Sequence, residues 1–478
     1  MIRNITAAVG LAGTLTLSAA AAVCAQTPPS ATSPKPWVVP ADAEIRRILA
    51  DRIDTQHQGV GIVVGVVDAH GRRFVSYGVS DKADGRPVDQ RAVFEIGSMS
   101  KVFTSLLLAD MVQRGEVKLD DPISKYLPAG VKVPERGGKQ ITLIDLATHT
   151  SGLPRLPTNM APKDPGNPYA DYTVAQLYAF LSSYTLPRDI GSQYEYSNLG
   201  GGLLGHVLAL RAGTDYATLV RQRITGPLGM NSTTIALTPE EKARLAIGHD
   251  ANLARTSNWD IPTLAGAGAL RSDADDILTF LSAELGSVKT PLAPAMKAQI
   301  VPRRPAGSPN LQVALAWHII TTPAGEIVWH NGGTGGYRTM MAFDPKAGVG
   351  VVVLSNTSTQ AGVDDIALHL IAGTPLTPPR VEHHEIAVDP AALKGVVGRY
   401  QLTPQAVVEM TLEGGQLYTQ ITGQPRFPVF MEAPHRGFLK VVEATIDFEV
   451  DASGRATAVV IHQNGRDTRA PRIEEAPK

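Results

Sequence analysis

Two hairpin patterns, far apart in the chain, constrain the fold more than any other feature. The first has a β-branched run at residues 60–67, a turn, and a returning run at 73–77. The second has runs at residues 337–343 and 349–354 on either side of a Pro- and Gly-containing turn. Such runs bounded by turn residues favour β-hairpins. Because the chain between them reads as mostly helical, we expect one antiparallel sheet built from both ends, with a helical region inserted between.

The N-terminal residues have the pattern of an exported protein. Residues 1–25 carry Arg3, then an apolar run, then small residues before Gln26, which is typical of a secretory signal peptide. Residues 26–40 are rich in Pro, Ser and Thr and are interpreted as a linker. We therefore expect a periplasmic or secreted protein without a stable membrane span after cleavage.

The C-terminal part predicts a second domain. A Pro-rich stretch at residues 373–392 is interpreted as a linker after a main domain at 41–372. Apolar and polar residues then alternate in short runs such as 408–412, separated by Gly-containing turns. This pattern predicts a small all-β barrel over residues 393–472.

Composition excludes several classes of function. Cys24 is the only cysteine and lies within the predicted signal peptide, so a mature chain offers no thiol nucleophile, disulfide or cysteine zinc site. The 44 Lys and Arg residues balance 45 Asp and Glu residues, which gives no basic excess for nucleic acid. His-Glu-x-x-His, Gly-x-Ser-x-Gly and convincing nucleotide loops are all missing from the sequence. We predict no metal and no cofactor.

The most specific local motif is Gly97-Ser98-Met99-Ser100-Lys101. If a helix begins here, Ser98 and Lys101 lie one turn apart on one face. A lysine whose pKa is lowered by burial can take the proton of a serine nucleophile. The apolar segment 102–112 predicts a buried helix, with Gly115 placed to end it. Taken alone, the pair is more often incidental, with Ser98 as a helix N-cap.

Two further motifs offer groups that complement this pair. In Tyr196-Ser197-Asn198, a phenol near a lysine can shuttle protons, and an amide can bind a substrate amide. The alternative is a helix start with Asn198 as its N-cap. In the segment that begins His330-Asn331-Gly332-Gly333, a Gly-rich strand edge allows a substrate backbone to lie alongside, and its amides suit an oxyanion hole. The alternative is a glycine turn around a packed histidine.

In this order and spacing, the three motifs resemble those of the penicillin-binding-protein and class C β-lactamase superfamily. The resemblance covers residues 40–370 and includes the supporting segments 146–154, 226–230 and 266–272. It implies a mixed α/β fold in which an antiparallel sheet is flanked by helices, with the site between sheet and helical region. Residues 393–472 resemble the lipocalin-like barrel appended to some peptidase-type members.

The resemblance also implies roles for individual residues. Ser98 would be the nucleophile that forms an acyl-enzyme, Lys101 its activating partner, and Tyr196 the base or acid for the leaving group. The backbone N–H groups of Ser98 and Gly333 would form the oxyanion hole. Substrate binding is assigned to Asn198, His330, Gly332 and Gly333.

One departure from the family pattern bears on the substrate. Typical β-lactamases carry a lysine where this chain has His330, and a histidine is mostly neutral near pH 7. Arg338 is considered as a replacement for the lost charge. The leading interpretation is a peptidase for D-amino-acid peptides, related to β-lactamases and slowly turning over β-lactams. The alternatives are a β-lactamase-like carboxylesterase, and a non-catalytic protein that binds peptidoglycan through the C-terminal barrel.

Overall fold

The computed structural model describes residues 37–359, 361–379, 383–403, 406–422, 426–441, 444–463 and 466–473. The predicted signal peptide and most of the predicted N-terminal linker lie outside these residues. Within the described ranges, no helix has both the length and the apolar character needed to cross a membrane.

An eight-stranded antiparallel sheet forms the centre of the main region. The strands of this region are β1 (Gly61–Asp68), β2 (Gly71–Gly78), β3 (Phe94–Glu95), β4 (Glu135–Arg136), β5 (Lys139–Gln140), β6 (Arg271–Ser272), β7 (Arg304–Pro305), β8 (Leu311–Val313), β9 (His318–Thr321), β10 (Glu326–Gly333), β11 (Arg338–Asp344) and β12 (Val349–Ser355). The sheet order is β2-β1-β12-β11-β10-β9-β8-β7. Ile62 pairs with Ser355 and Val67 with Gly350, so the hairpins from the two ends are direct neighbours, as predicted.

Helices cover both faces of this sheet. They are α1 (Asp42–Ala50), α2 (Ser100–Gln113), α3 (Leu143–Ala147), α4 (Val174–Ser183), α5 (Asn198–Ala212), α6 (Tyr216–Val220), α7 (Gly226–Leu228), α8 (Pro239–Ala243), α9 (Ala274–Glu284), α10 (Ala293–Gln299), α11 (Asp364–Ala372) and, before the second sheet, α12 (Pro390–Leu393). Alternate residues of β12 enter two different cores: Val352 and Leu354 face the helical region, whereas Val351 and Val353 face α1 and α11. Burial on both faces explains why the strand reads as a continuous apolar run.

The helix that carries the first motif is buried along almost its whole length. Residues 100–111 of α2 are all buried, and the helix packs against α5 and α10. Gly115 follows the C-cap with φ of +71°, a conformation that favours glycine. The prediction of a buried helix that ends at this glycine is therefore confirmed.

The C-terminal residues form a separate eight-stranded meander. Its strands are β13 (Gly398–Thr403), β14 (Ala406–Glu413), β15 (Gln416–Ile421), β16 (Arg426–Ala433), β17 (Arg436–Phe438), β18 (Ala444–Val450), β19 (Ala456–Gln463) and β20 (Arg466–Pro471), paired in chain order. A bridge between Tyr400 and Arg472 nearly closes the sheet into a barrel. Tyr400, Met410 and Phe448 are among the apolar side chains that fill its interior. The predicted small all-β barrel is confirmed.

Candidate active site

Ser98 lies in a single 3₁₀ turn, Gly97–Met99, directly before α2. Gly97 has φ of +51°, and a Cβ atom there would come within 2.7 Å of the Gly333 backbone nitrogen. Glycine thus allows the turn to press against the end of β10. The N-cap of α2 is Met99, without a side-chain cap, so the alternative that Ser98 caps this helix is wrong. Ser98 itself is half-buried.

Lys101 is held by three uncharged oxygen atoms. Its Nζ donates to Ser98 Oγ at 3.0 Å, to Asn198 Oδ1 at 2.9 Å and to the Ala267 carbonyl oxygen at 2.7 Å. Burial, together with repulsion from Arg155, lowers the pKa of Lys101 well below its usual value. A lysine with a depressed pKa and a direct contact to a serine hydroxyl can act as the base for that serine.

Helix α5 is shaped to fit around this lysine. A Cβ atom on Gly201 would lie 2.9 Å from Lys101 Cε, so the helix passes the lysine stem only because this residue is glycine. The N-cap is Ser197, whose Oγ accepts from the Gly200 N–H at 2.8 Å. The alternative with Asn198 as the N-cap is therefore wrong. The Asn198 amide instead accepts from Lys101 and donates to Tyr169 Oη at 3.0 Å.

Two basic side chains approach the ring of Tyr196. The Lys101 Nζ is 4.8 Å from the centroid of its ring, and the Arg155 Cζ is 5.3 Å from the same point. Burial raises the pKa of Tyr196 well above its usual value, and a hydrogen bond with Ser98 acts in the opposite sense. The phenol therefore stays protonated at neutral pH and is a proton donor next to the serine.

Three buried histidines surround Tyr196. Their ring centroids lie 4.5 Å (His149), 6.3 Å (His330) and 6.4 Å (His318) from that of the tyrosine. Burial lowers the pKa of His318 to about 4 and places those of His149 and His330 well below the usual value. All three imidazoles are therefore neutral near pH 7.

Hydrogen bonds fix the tautomers of two of these rings. His330 Nδ1 lies 2.6 Å from the Asn331 carbonyl oxygen, which can only accept, so Nδ1 is the donor and Nε2 carries the lone pair. His149 Nδ1 accepts from the Ser197 N–H at 3.1 Å, so its Nε2 carries the hydrogen. Both Nε2 atoms are buried without a partner among the residues that the structure describes. The Nε2 atom of His330 is thus an unused acceptor, and that of His149 is an unused donor.

Among the described strands, the end of β10 has a neighbour on one side only. Its pairing with β9 stops at Trp329, whereas its pairing with β11 continues to Gly333. A Cβ atom on Gly332 would come within 2.0 Å of the Ile96 carbonyl oxygen, so only glycine fits between the strand and the serine turn. An unpaired strand edge of this kind can receive an extended substrate backbone.

The structure brings predicted residues of all three motifs together in one cluster, with further residues that sequence reasoning missed. Arg155, Tyr169 and His318 had no motif, and their proximity arises only from the tertiary fold. His149 lies in one of the supporting segments but had been given no role. Arg338, considered as a replacement cation, donates from Nη1 to the carbonyl oxygens of Thr334 and Tyr337 at 3.2 Å each.

Comparisons with known proteins identify the family of the chain and several relatives. The family model described as Beta-lactamase matches residues 42–374, and that described as Domain of unknown function (DUF3471) matches residues 382–472. D-alanyl-D-alanine-carboxypeptidase/endopeptidase AmpH of Escherichia coli (strain K12) is 31% identical over 382 residues, which cover 75% of this chain and 97% of that protein. Penicillin-binding protein 4* of Bacillus subtilis (strain 168) is 25% identical over 452 residues, covering 89% and 98%.

Solved structures show the same fold. A class C β-lactamase from Rhodobacter sphaeroides superposes with a TM-score of 0.58 at 28% identity, covering 66% of this chain and 94% of that chain. A β-lactamase/D-alanine carboxypeptidase from Yersinia pestis, solved with citrate, gives a TM-score of 0.57 at 28% identity, covering 67% and 93%. The chain therefore belongs to the beta-lactamase family and is a serine hydrolase.

Proposed function

We propose that the protein is an exported peptidase that cleaves D-amino-acid peptides, such as the stem peptides of the cell wall, through an acyl-enzyme on Ser98. The observation that carries the proposal is the buried Lys101 amine, which contacts Ser98 Oγ at 3.0 Å and has only uncharged acceptors. The similarity to AmpH, a relative named for D-alanyl-D-alanine carboxypeptidase and endopeptidase activity, supports this substrate class. Export rests on the pattern of residues 1–25.

Acylation begins with proton transfer from Ser98. Neutral Lys101 accepts the proton from Ser98 Oγ as this oxygen bonds to the substrate carbonyl carbon. The N–H groups of Ser98 and Gly333 stabilise the oxyanion that forms. The carbon–nitrogen bond then breaks, Tyr196 donates its phenolic proton to the leaving amine, and the Lys101 ammonium returns a proton to Tyr196.

Deacylation reverses these roles with water. A water molecule attacks the ester carbonyl, its proton passes to the Tyr196 and Lys101 pair, and Ser98 leaves as its oxygen is reprotonated. A β-lactam presents the same kind of acyl donor, so slow penicillin turnover accompanies the peptidase activity. The neutral His330, at the position where typical β-lactamases carry a lysine, argues against a dedicated β-lactamase.

The experiment combines a peptide assay with intact mass spectrometry. We expect hydrolysis of a D-alanyl-D-alanine peptide by the parent protein, and a penicillin adduct on it. In Ser98→Ala the adduct should disappear and hydrolysis should fall by at least about a thousandfold, because the nucleophile is gone. Ser105→Ala, a buried serine farther along α2, is the matched control and should retain both. Equal hydrolysis by the parent and Ser98→Ala would refute the proposal.

A carboxylesterase is the second candidate, and a specific observation favours it. Neutral His330 supplies no positive charge for a carboxylate next to the scissile bond, which suits uncharged esters. A screen of short-chain esters beside D-peptides separates the two activities. Hydrolysis of esters but of no D-peptide would replace the leading proposal, whereas inactivity on every ester would eliminate this one. An acyl adduct from any substrate would also rule out a non-catalytic peptidoglycan-binding protein.

A further inference from the structure

Arg155 places an unused positive charge at the rim of the active site. Its side chain is exposed, and its guanidinium carbon lies 5.3 Å from the ring centroid of Tyr196. The backbone beneath it is fixed, because the Arg155 carbonyl oxygen accepts from the N–H groups of Asn198 at 2.9 Å and Leu199 at 3.1 Å. Within the described part of the chain, the guanidinium makes neither a side-chain hydrogen bond nor an ion pair. Its backbone is therefore fixed, and its guanidinium has a contact with the Tyr196 ring but no anionic partner among these residues.

The charges around Arg155 are not balanced. Lys101 is the other basic group of the site, but it is neutral as the proton acceptor, and its hydrogen-bond partners are a hydroxyl, an amide and a backbone carbonyl. The charged groups that act on Lys101 and His149 include Arg155 but no carboxylate. The histidines around Tyr196 are neutral because they are buried. A partly desolvated site with excess positive charge favours an anionic ligand.

We propose that Arg155 recognises a carboxylate of the substrate and takes over the charge that His330 does not provide. The planar guanidinium can bind a carboxylate through two parallel hydrogen bonds, which gives direction as well as attraction. Its contact with the ring of Tyr196 places this carboxylate next to the proton donor of the site. The inference rests on the proposed function and narrows its substrates to acyl donors that carry a negative charge.

The carboxylate has two possible sources, and paired substrates separate them. The first pair is a D-alanyl-D-alanine peptide with a free C-terminus and its C-terminal amide. The second pair keeps the amidated C-terminus and places either a glutamate or a glutamine on the acyl side of the scissile bond. The variants are Arg155→Gln and Arg155→Lys. Arg221→Gln, an exposed arginine on the segment after α6 without a contact to the site, is the matched control for net charge.

We expect one of the two substrate pairs to respond to the loss of Arg155. In that pair, Arg155→Gln should lower kcat/KM for the acidic substrate by about tenfold to a hundredfold, which is the usual effect of losing a charged hydrogen bond. The kcat/KM for the neutral peptide of the same pair should change by less than about threefold. Arg155→Lys should recover most of the preference for the acid, and Arg221→Gln should leave it unchanged. Whichever pair responds identifies the source of the carboxylate.

A pH profile adds a readout that a purely structural role would not move. Because Arg155 repels the Lys101 ammonium, Arg155→Gln should raise the pKa of Lys101 and shift the acidic limb of the rate profile to higher pH. An equal loss on acid and amide, or a parent protein without preference in either pair, would overturn the inference. Failure of the proposed function looks different, because Ser98 would then form no acyl adduct with any of the four peptides.

Discussion

At the residue scale, the central feature is a buried lysine that has no carboxylate partner in the part of the chain that the structure describes. Burying an unpaired charge costs several kcal/mol, so a lysine in such a place loses its proton more easily than one in water. Lys101 is 2% exposed and bonded only to neutral oxygen atoms. A structural lysine would be expected to have an acidic partner. Its environment therefore fits a proton acceptor for Ser98 better than a structural role.

This environment predicts the pH dependence of acylation. Only neutral Lys101 accepts a proton, and its folded pKa is depressed, so the charged form predominates only at pH values below that lowered pKa. Acylation by penicillin should therefore rise with pH along a limb well below pH 10.5, the ordinary lysine value. The rate of adduct formation, monitored by intact mass spectrometry between about pH 5 and pH 9, measures this limb. A rate that begins to rise only near the ordinary lysine pKa would contradict the assignment.

The variant Lys101→Arg tests the same residue by replacing its amine with a group that stays charged. A guanidinium stays protonated at all practical pH values, so it cannot accept the serine proton. We expect adduct formation to slow by about a hundredfold or more. The melting temperature shows whether the variant is folded. A folded Lys101→Arg protein that acylates at the parent rate would remove Lys101 from the mechanism.

The sequence predicts part of this site and misses the rest for a physical reason. Short motifs carry Ser98, Lys101 and Tyr196, since local spacing constrains these residues. No local pattern indicates Arg155 or His318, because the loop after residue 154 and strand β9 meet Tyr196 only in the folded chain. Sequence reasoning likewise could not give their hydrogen-bond partners.

At the element scale, predictability follows the burial pattern. Strands β1 and β12 are buried on both faces and are rich in valine, so their pairing could be expected from the sequence. The alternating run at residues 408–412, from which the barrel was predicted, lies within β14. Strand β16 contains Pro428 and the short strand β17 contains Gly437, residues that weaken a strand pattern, and neither strand was predicted.

The packing of α5 against α2 predicts contrasting effects for two neighbouring glycines. In Gly201→Ala the new methyl group would meet the Lys101 stem, at 2.9 Å from Cε. In Gly202→Ala it would instead meet Leu264, at 2.6 Å from Cβ and 2.8 Å from Cα. We expect Gly201→Ala to slow acylation by about tenfold or more, because the amine is displaced from Ser98. Gly202→Ala should mainly lower the melting temperature by overpacking.

Rates of adduct formation and thermal melts of both variants test this contrast. Alanine is more favourable than glycine in a helix by about 1 kcal/mol. This gain is the same in both variants and offsets part of the strain in each. The difference between the two therefore reports the different neighbours of the new methyl group. If Gly201→Ala acylates like the parent, or if both variants lose rate and stability in the same proportion, Lys101 is not positioned by this helix contact.

At the scale of the whole molecule, the main region and the barrel have separate hydrophobic cores. The two cores on the faces of the main sheet are built from residues before 373, with Leu376 packed at the edge of one. The barrel core is built from residues that begin at Leu393, with Val388 packed against it. The chain before the barrel is bound to the barrel: His383 stacks on Phe438 at 4.6 Å, and the Ile386 N–H donates to the Met431 carbonyl oxygen at 2.7 Å.

These separate cores predict that the catalytic chemistry does not require the barrel. A chain that ends at Pro379 keeps Leu376 and the hydrogen bond from the Thr377 N–H to Asp365 Oδ2 at 2.8 Å. We expect its Ser98 to form the penicillin adduct within about threefold of the full-length rate, and calorimetry to show the loss of one cooperative transition. The full-length protein at equal concentration is the control. If the shortened chain melts like the main region but acylates more than about tenfold slower, the barrel supplies part of the active site, and substrate recognition must then be sought on both domains.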